Sequence, residues 1–119
     1  MADFDTTVGA LRQWAATHDA RARAAVELLC WHEHWLRRQD FIKACVHADP
    51  HAGMTWINWR EAREFCDAGP RASTSELAIL DLALTLGEDR FRFGSMGHAH
   101  RAAIVRAVAL ALGVEVPGA

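Results

Sequence analysis

The chain is predicted to be all-α, a compact bundle of about five to six short helices forming a single domain over residues 1–119. Three observations predict it. Apolar residues recur at helical spacing along most of the chain. Several of these segments follow an Asp, Asn or Ser that can accept orphan amide hydrogens at a helix start. Gly and Pro fall between the segments, at Asp49-Pro50-His51-Ala52-Gly53 and at Gly69-Pro70.

The first helix is expected over Thr7 to Thr17, with Val8, Leu11 and Trp14 at helical spacing. Asp19 caps a second, over Ala20 to Leu36. Its wheel collects Ala24, Ala25, Leu28, Trp31, Trp35 and Leu36 into one apolar arc that includes His32, opposite Arg23, Glu27 and His34. Asp40 starts a short third helix with Phe41, Ile42, Cys45 and Val46 inward, and an extended piece is expected over Met54 to Ile57. Asn58 caps the fourth helix, with Glu61 three residues on and Trp59, Ala62, Phe65 and Cys66 on one face.

Ser73 and Glu76 make a capping box for the fifth helix, whose polar side is only Ala78, Asp81 and Thr85, so it should be the most buried. Gly87 is expected just past its end. Arg90-Phe91-Arg92-Phe93 alternates, as an extended connector with both Phe rings inward would. The last helix, Gly97 to Leu112, should turn Ile104, Val105, Val108 and Leu112 to the core before Gly113 and Pro117 end it.

Composition bounds function mainly by exclusion. At 119 residues, 51% apolar and 24% charged, the chain suits one self-sufficient core. A net charge of -2 provides no general attraction to nucleic acid or anionic membrane, so neither DNA nor a membrane is expected as a partner. Twelve Arg against the single Lys43 reads most simply as the coding habit of a GC-rich genome. An acidic N-terminus without an apolar stretch argues against a signal peptide. Three cysteines in apolar patterns, Cys30, Cys45 and Cys66, argue against a disulfide framework, so the cytoplasm is the expected compartment.

Glu27-Leu28-Leu29-Cys30-Trp31-His32, Trp35 to Phe41, Trp56-Ile57-Asn58-Trp59 and Ser73 to Leu80 together resemble small helical proteins of actinobacterial genomes, often linked to phage-like or plasmid-derived regions. The resemblance implies a class of origin. Its residues are core and cap residues, and it carries no catalytic residue across.

Several constellations could bear chemistry. Cys30 and His34 stand four apart, and Cys45, His47, Asp49 and His51 alternate downstream. A hairpin of the second and third helices would make Cys30, His34, Cys45, His47 and His51 a candidate metal set. The spacings of known zinc motifs are absent, so no metal or other cofactor is the first expectation and the metal-stabilised protein is an alternative. His32 reads as a neutral imidazole bonded to a backbone carbonyl. His98 and His100 at a helix start, beside Arg101, could meet an anion.

No phosphate loop, dinucleotide fingerprint, serine elbow or metalloprotease motif occurs, and apolar surroundings argue against thiol catalysis. Asn58 to Gly87 has the length of a helix-turn-helix. Its second helix would offer Leu, Ile, Ala, Glu76 and Asp81 to bases where Arg or Asn is needed. A nucleic-acid accessory role, through Arg21, Arg23, Arg37, Arg38 and Lys43, is a further alternative.

The tryptophans point elsewhere. Trp14, Trp31, Trp35, Trp56 and Trp59 crowd the first half of the chain, more than a small core hides easily. The preferred reading is therefore a non-catalytic helical protein-interaction module, its partner another protein or a second copy of itself, with Trp31 and Trp35 as anchors. Trp31, amid its helix, is expected to be buried, and Trp35, near the helix end, partly exposed.

Overall fold

The structure, a computed structural model, describes residues 3–90, 92 and 97–115. In order these form α1 (Phe4–Ala15), α2 (Ala20–His32), a 3-10 turn (Trp35–Arg37), α3 (Gln39–Cys45), β1 (Val46–Asp49), β2 (Met54–Ile57), α4 (Trp59–Asp67), α5 (Thr74–Gly87) and α6 (His98–Leu112). The two strands make an antiparallel hairpin with Val46 opposite Ile57 and His47 opposite Trp56. The fold is thus helical with a small sheet, not purely all-α. Met54 to Ile57 is extended as expected. Its partner is β1, and the alternation of His47 and Asp49 is the period of two of that strand and not a ligand pattern.

The caps read in the sequence are present. Asp19 accepts from the Ala22 amide at 3.0 Å and Asn58 from the Glu61 amide at 3.0 Å. Ser73 and Glu76 form the reciprocal box, at 3.2 and 2.8 Å. Asp3, which was not anticipated, caps α1 through the Thr6 amide at 2.7 Å, so that helix starts earlier than expected. Asp40 lies inside the first turn of α3 and is not its cap; its carboxylate accepts from the Phe41 amide and clasps Arg38.

The core joins Val8 and Leu11 of α1, Val26, Leu29 and Cys30 of α2, Phe41 and Cys45 of α3, Ile57 of β2, Ala62 of α4, and Leu80, Ala83 and Leu84 of α5. Trp35 and Leu36 complete it from the 3-10 turn. Packing between α2 and α5 is the most extensive helix pairing. These helices run antiparallel: Arg21 at the start of α2 bridges Asp89 just after α5, while Trp35 beyond α2 bonds the first turn of α5.

Three expectations for α5 need correction. Thr85 is buried, because Arg63 of α4 lies over that side of the helix and bonds Asp81, Glu88 and Thr85. Leu82, counted toward the core, is half exposed. Gly87 is not the residue past the helix end; it is the last residue of α5, and Glu88 is the cap. A side chain there would put its Cβ 2.5 Å from the Trp59 ring, so the indole occupies the space only glycine leaves. The Phe91 and Phe93 expectation lies outside the described residues.

The last correction concerns α6. Gly113 ends it in a left-handed conformation, φ 71°, as expected. No residue of α6 is buried, however. Val105, Val108 and Leu112, assigned to the core, are exposed, and Ile104 is half-buried. The helix is apolar almost all round after Arg101, so its wheel carries no marker of which side faces inward.

Candidate interaction surface

The placement of Trp31 and Trp35 inverts the expectation. Trp31 is 76% exposed and Trp35 is fully buried. The cause is local. The helical phase does not run from Ala20 to Leu36; it stops at His32, and Glu33 takes φ 66° before the 3-10 turn begins. That break resets the direction of every later side chain, so Trp35 cannot be placed on the wheel of α2. With Trp35 and Leu36 removed, the inward face of α2 is Ala22, Ala25, Val26, Leu29 and Cys30, while Ala24 and Trp31 face outward.

Trp35 is held from several sides. Its indole N–H donates to the Glu76 carbonyl at 2.9 Å. Its ring packs edge-on to Phe65 and tilted against Phe41, with centroids 6.0 and 6.1 Å away. His34 meets it edge-on at 4.8 Å and the Arg38 guanidinium lies 4.8 Å from its centre. Trp35 is therefore a core residue and not an exposed anchor.

Trp31 belongs to a longer apolar strip. On α2, Ala24, Leu28 and Trp31 follow i, i+4, i+7; on α5, Ile79, Leu82 and Leu86 follow i, i+3, i+7. Ala24, Trp31 and Leu82 are exposed and the other three half-buried. The flanks of the two helices fix where the strip lies. Glu27 of α2 is tied to Arg12 of α1, at 2.8 Å, and Arg63 of α4 covers the Asp81–Thr85–Glu88 side of α5. The six residues lie on the remaining flanks of these two helices, and the antiparallel pairing sets Ala24 level with Leu86, Leu28 with Leu82 and Trp31 with Ile79.

The metal set is not assembled. Cys30 and Cys45 are buried in the core, His51 is exposed on the hairpin turn, His34 lies 3.1 Å from Glu76 and His47 meets Glu61. Among the described residues no three His, Cys, Asp or Glu are grouped so as to hold an ion. The separation follows from the fold: α2 and α3 are linked through the 3-10 turn and do not form the hairpin this set requires. Burial pushes the Cys30 thiol up to about 11 and the Cys45 thiol up to about 12, and raises Cys66 as well. All three are protonated near neutrality and poor nucleophiles.

His32 departs from its expected role. It is half-buried, and its Nδ1 is shielded with no hydrogen-bond partner among the described residues, as is Nε2 of His34. His47 stacks on Trp56 at 5.5 Å while Nε2 engages the Glu61 carboxylate. That pairing links the hairpin to α4. His98 and His100 are exposed.

The anticipated basic residues are largely neutralised. Arg21 bridges Asp19 and Asp89, Arg37 bridges Glu33, and Arg38 bridges Asp40. An open pocket of about 380 Å³ between α1 and α3 is lined by Asp3, Phe4, Thr7, Leu36, Arg37, Gln39 and Ile42. The one carboxylate there, Asp3, already caps α1, and the Arg37 guanidinium lies 3.9 Å over the Phe4 ring.

No family model matches the chain, and no curated protein or solved structure matches it either. Among the described residues no helix is long and apolar enough to cross a membrane.

Proposed function

We propose that the chain is a helical protein-interaction module that acts by surface recognition and not by turnover. One observation carries the reading. Trp31, the most energetic type of interface anchor, is 76% exposed at the end of the apolar strip of α2 and α5. Isolated exposed apolar residues need no explanation; a strip of six on two packed helices exceeds that background. The protonated thiols and the salt-bridged arginines favour this reading over thiol chemistry and over a basic nucleic-acid surface.

The test compares wild type with Trp31→Ala as baits under identical conditions. The substitution removes exposed surface, so the thermal midpoint should stay close to wild type. A partner retained by wild type should lose at least about 2 kcal/mol of binding, roughly thirtyfold, with the variant. Equal recovery of every partner by the two baits refutes the module reading at this surface.

A further inference from the structure

We propose that the occupant of the α2–α5 strip is α6 of a second copy, and that two chains exchange α6 helices to make a closed dimer. The proposal rests on the interaction-module reading and names its partner.

Among the described residues the chain carries two largely open apolar surfaces of complementary form. One is the strip, a seam between two antiparallel helices. The other is α6, in which Val105, Val108, Leu110 and Leu112 are 52–82% exposed, followed by Val114 at 60%. A helix apolar on nearly every side is normally enclosed, and this one has no buried residue in its own chain. An amphipathic or apolar helix laid along a groove is a standard mode of recognition. The lengths agree: α6 has 15 residues and α5 has 14, about 22 and 21 Å.

Area selects a second copy. The exposed parts of Val105, Val108 and Leu112, which share one face of α6, with those of Trp31 and Leu82, come to roughly 600 Å² per chain, so a mutual exchange reaches the roughly 1,200 Å² at which specific interfaces begin. A mutual exchange uses both surfaces of both chains and closes by twofold symmetry.

The experiment uses the full chain. Light scattering after size exclusion, across the micromolar range, should give twice the 13.2 kDa chain mass. Val108→Glu on α6 and Leu82→Glu on the strip replace side chains that are 52% and 50% exposed, so each monomer should keep its circular dichroism spectrum. Each variant alone should dimerise more weakly by on the order of 100-fold, because a charge is buried in both contacts. Mixed together, they retain one intact contact, between the α6 of Leu82→Glu and the strip of Val108→Glu, and a heterodimer should return. A wild-type monomer at every concentration overturns the exchange, while loss of other partners by Trp31→Ala would leave the module reading standing. A dimer broken by Val108→Glu but untouched by Leu82→Glu overturns it too, since α6 would then pair with α6.

Discussion

Replacing Trp35 with alanine tests the break in α2 and the reassignment of the two tryptophans together. Trp35 is fully buried, packs against Phe41 and Phe65, and donates its indole N–H to the Glu76 carbonyl. Truncating a buried Trp costs about 3–5 kcal/mol through lost transfer energy and the cavity left behind. Losing the indole hydrogen bond to the Glu76 carbonyl adds about 1 kcal/mol. The total, roughly 4–6 kcal/mol, takes a large part of the 5–15 kcal/mol that holds an ordinary domain folded. Trp35→Phe, which keeps a ring and loses the donor, should cost about 1–2 kcal/mol. Trp31→Ala, on the outer face, should stay within about 0.5 kcal/mol. Urea denaturation followed by circular dichroism measures all three, provided the slope of free energy against urea is unchanged. A Trp35→Ala loss below about 1 kcal/mol, or one matched by Trp31→Ala, would refute the inverted placement.

Two further outcomes follow from the packing. Gly87→Ala should destabilise the protein by about 1–3 kcal/mol, although alanine normally favours a helix over glycine by about 1 kcal/mol. The reversal comes from the Trp59 ring, and a smaller residue at 59 in the same chain should restore the ordinary sign; thermal denaturation of the single and double variants reads it. Alkaline pH should also unfold the chain. An unfolded thiol ionises near 9, whereas folded Cys30 and Cys45 hold their protons up to about 11 and about 12. Raised folded values mean stability present below pH 9 and lost above it, at about 1.4 kcal/mol per pH unit for each thiol. The absence of tyrosine removes the usual competing titration, so Cys45→Ala should flatten the slope between pH 9 and 11, and an unchanged slope would refute the assignment.

What was legible in the sequence were the local signals. Asp19, Asn58 and Ser73 announce helix starts because their carboxylate, amide or hydroxyl is chemically suited to orphan amides, whatever lies around them. The Gly69-Pro70 stop is local in the same way. Phase was less legible. Helix α2 is apolar at Leu28 and Trp31 on one side and at Val26, Leu29 and Cys30 on the other, so its inward face depends on neighbours the wheel does not contain. The reset at Glu33 is hidden because no glycine or proline marks it. For α6 the near-uniform apolarity left burial undecidable from period alone. The metal set failed for a related reason: Cys45 ends a helix and His47 sits on a strand, and their spacing reflects that junction and not a shared ligand.

The clasp between Trp35 and the Glu76 carbonyl also orders events in time. Its partners stand 41 residues apart, whereas the α1–α2 pair and the β1–β2 hairpin close over short stretches of chain. Closing the longer loop costs more entropy, and the cost is met only once α5 is in place against α2. The indole donor is therefore satisfied late. A contact made after the folding barrier does little for the speed of folding and much for the lifetime of what has folded. Trp35 acts on the exit from the native state, as a late latch that holds the end of α2 to the start of α5.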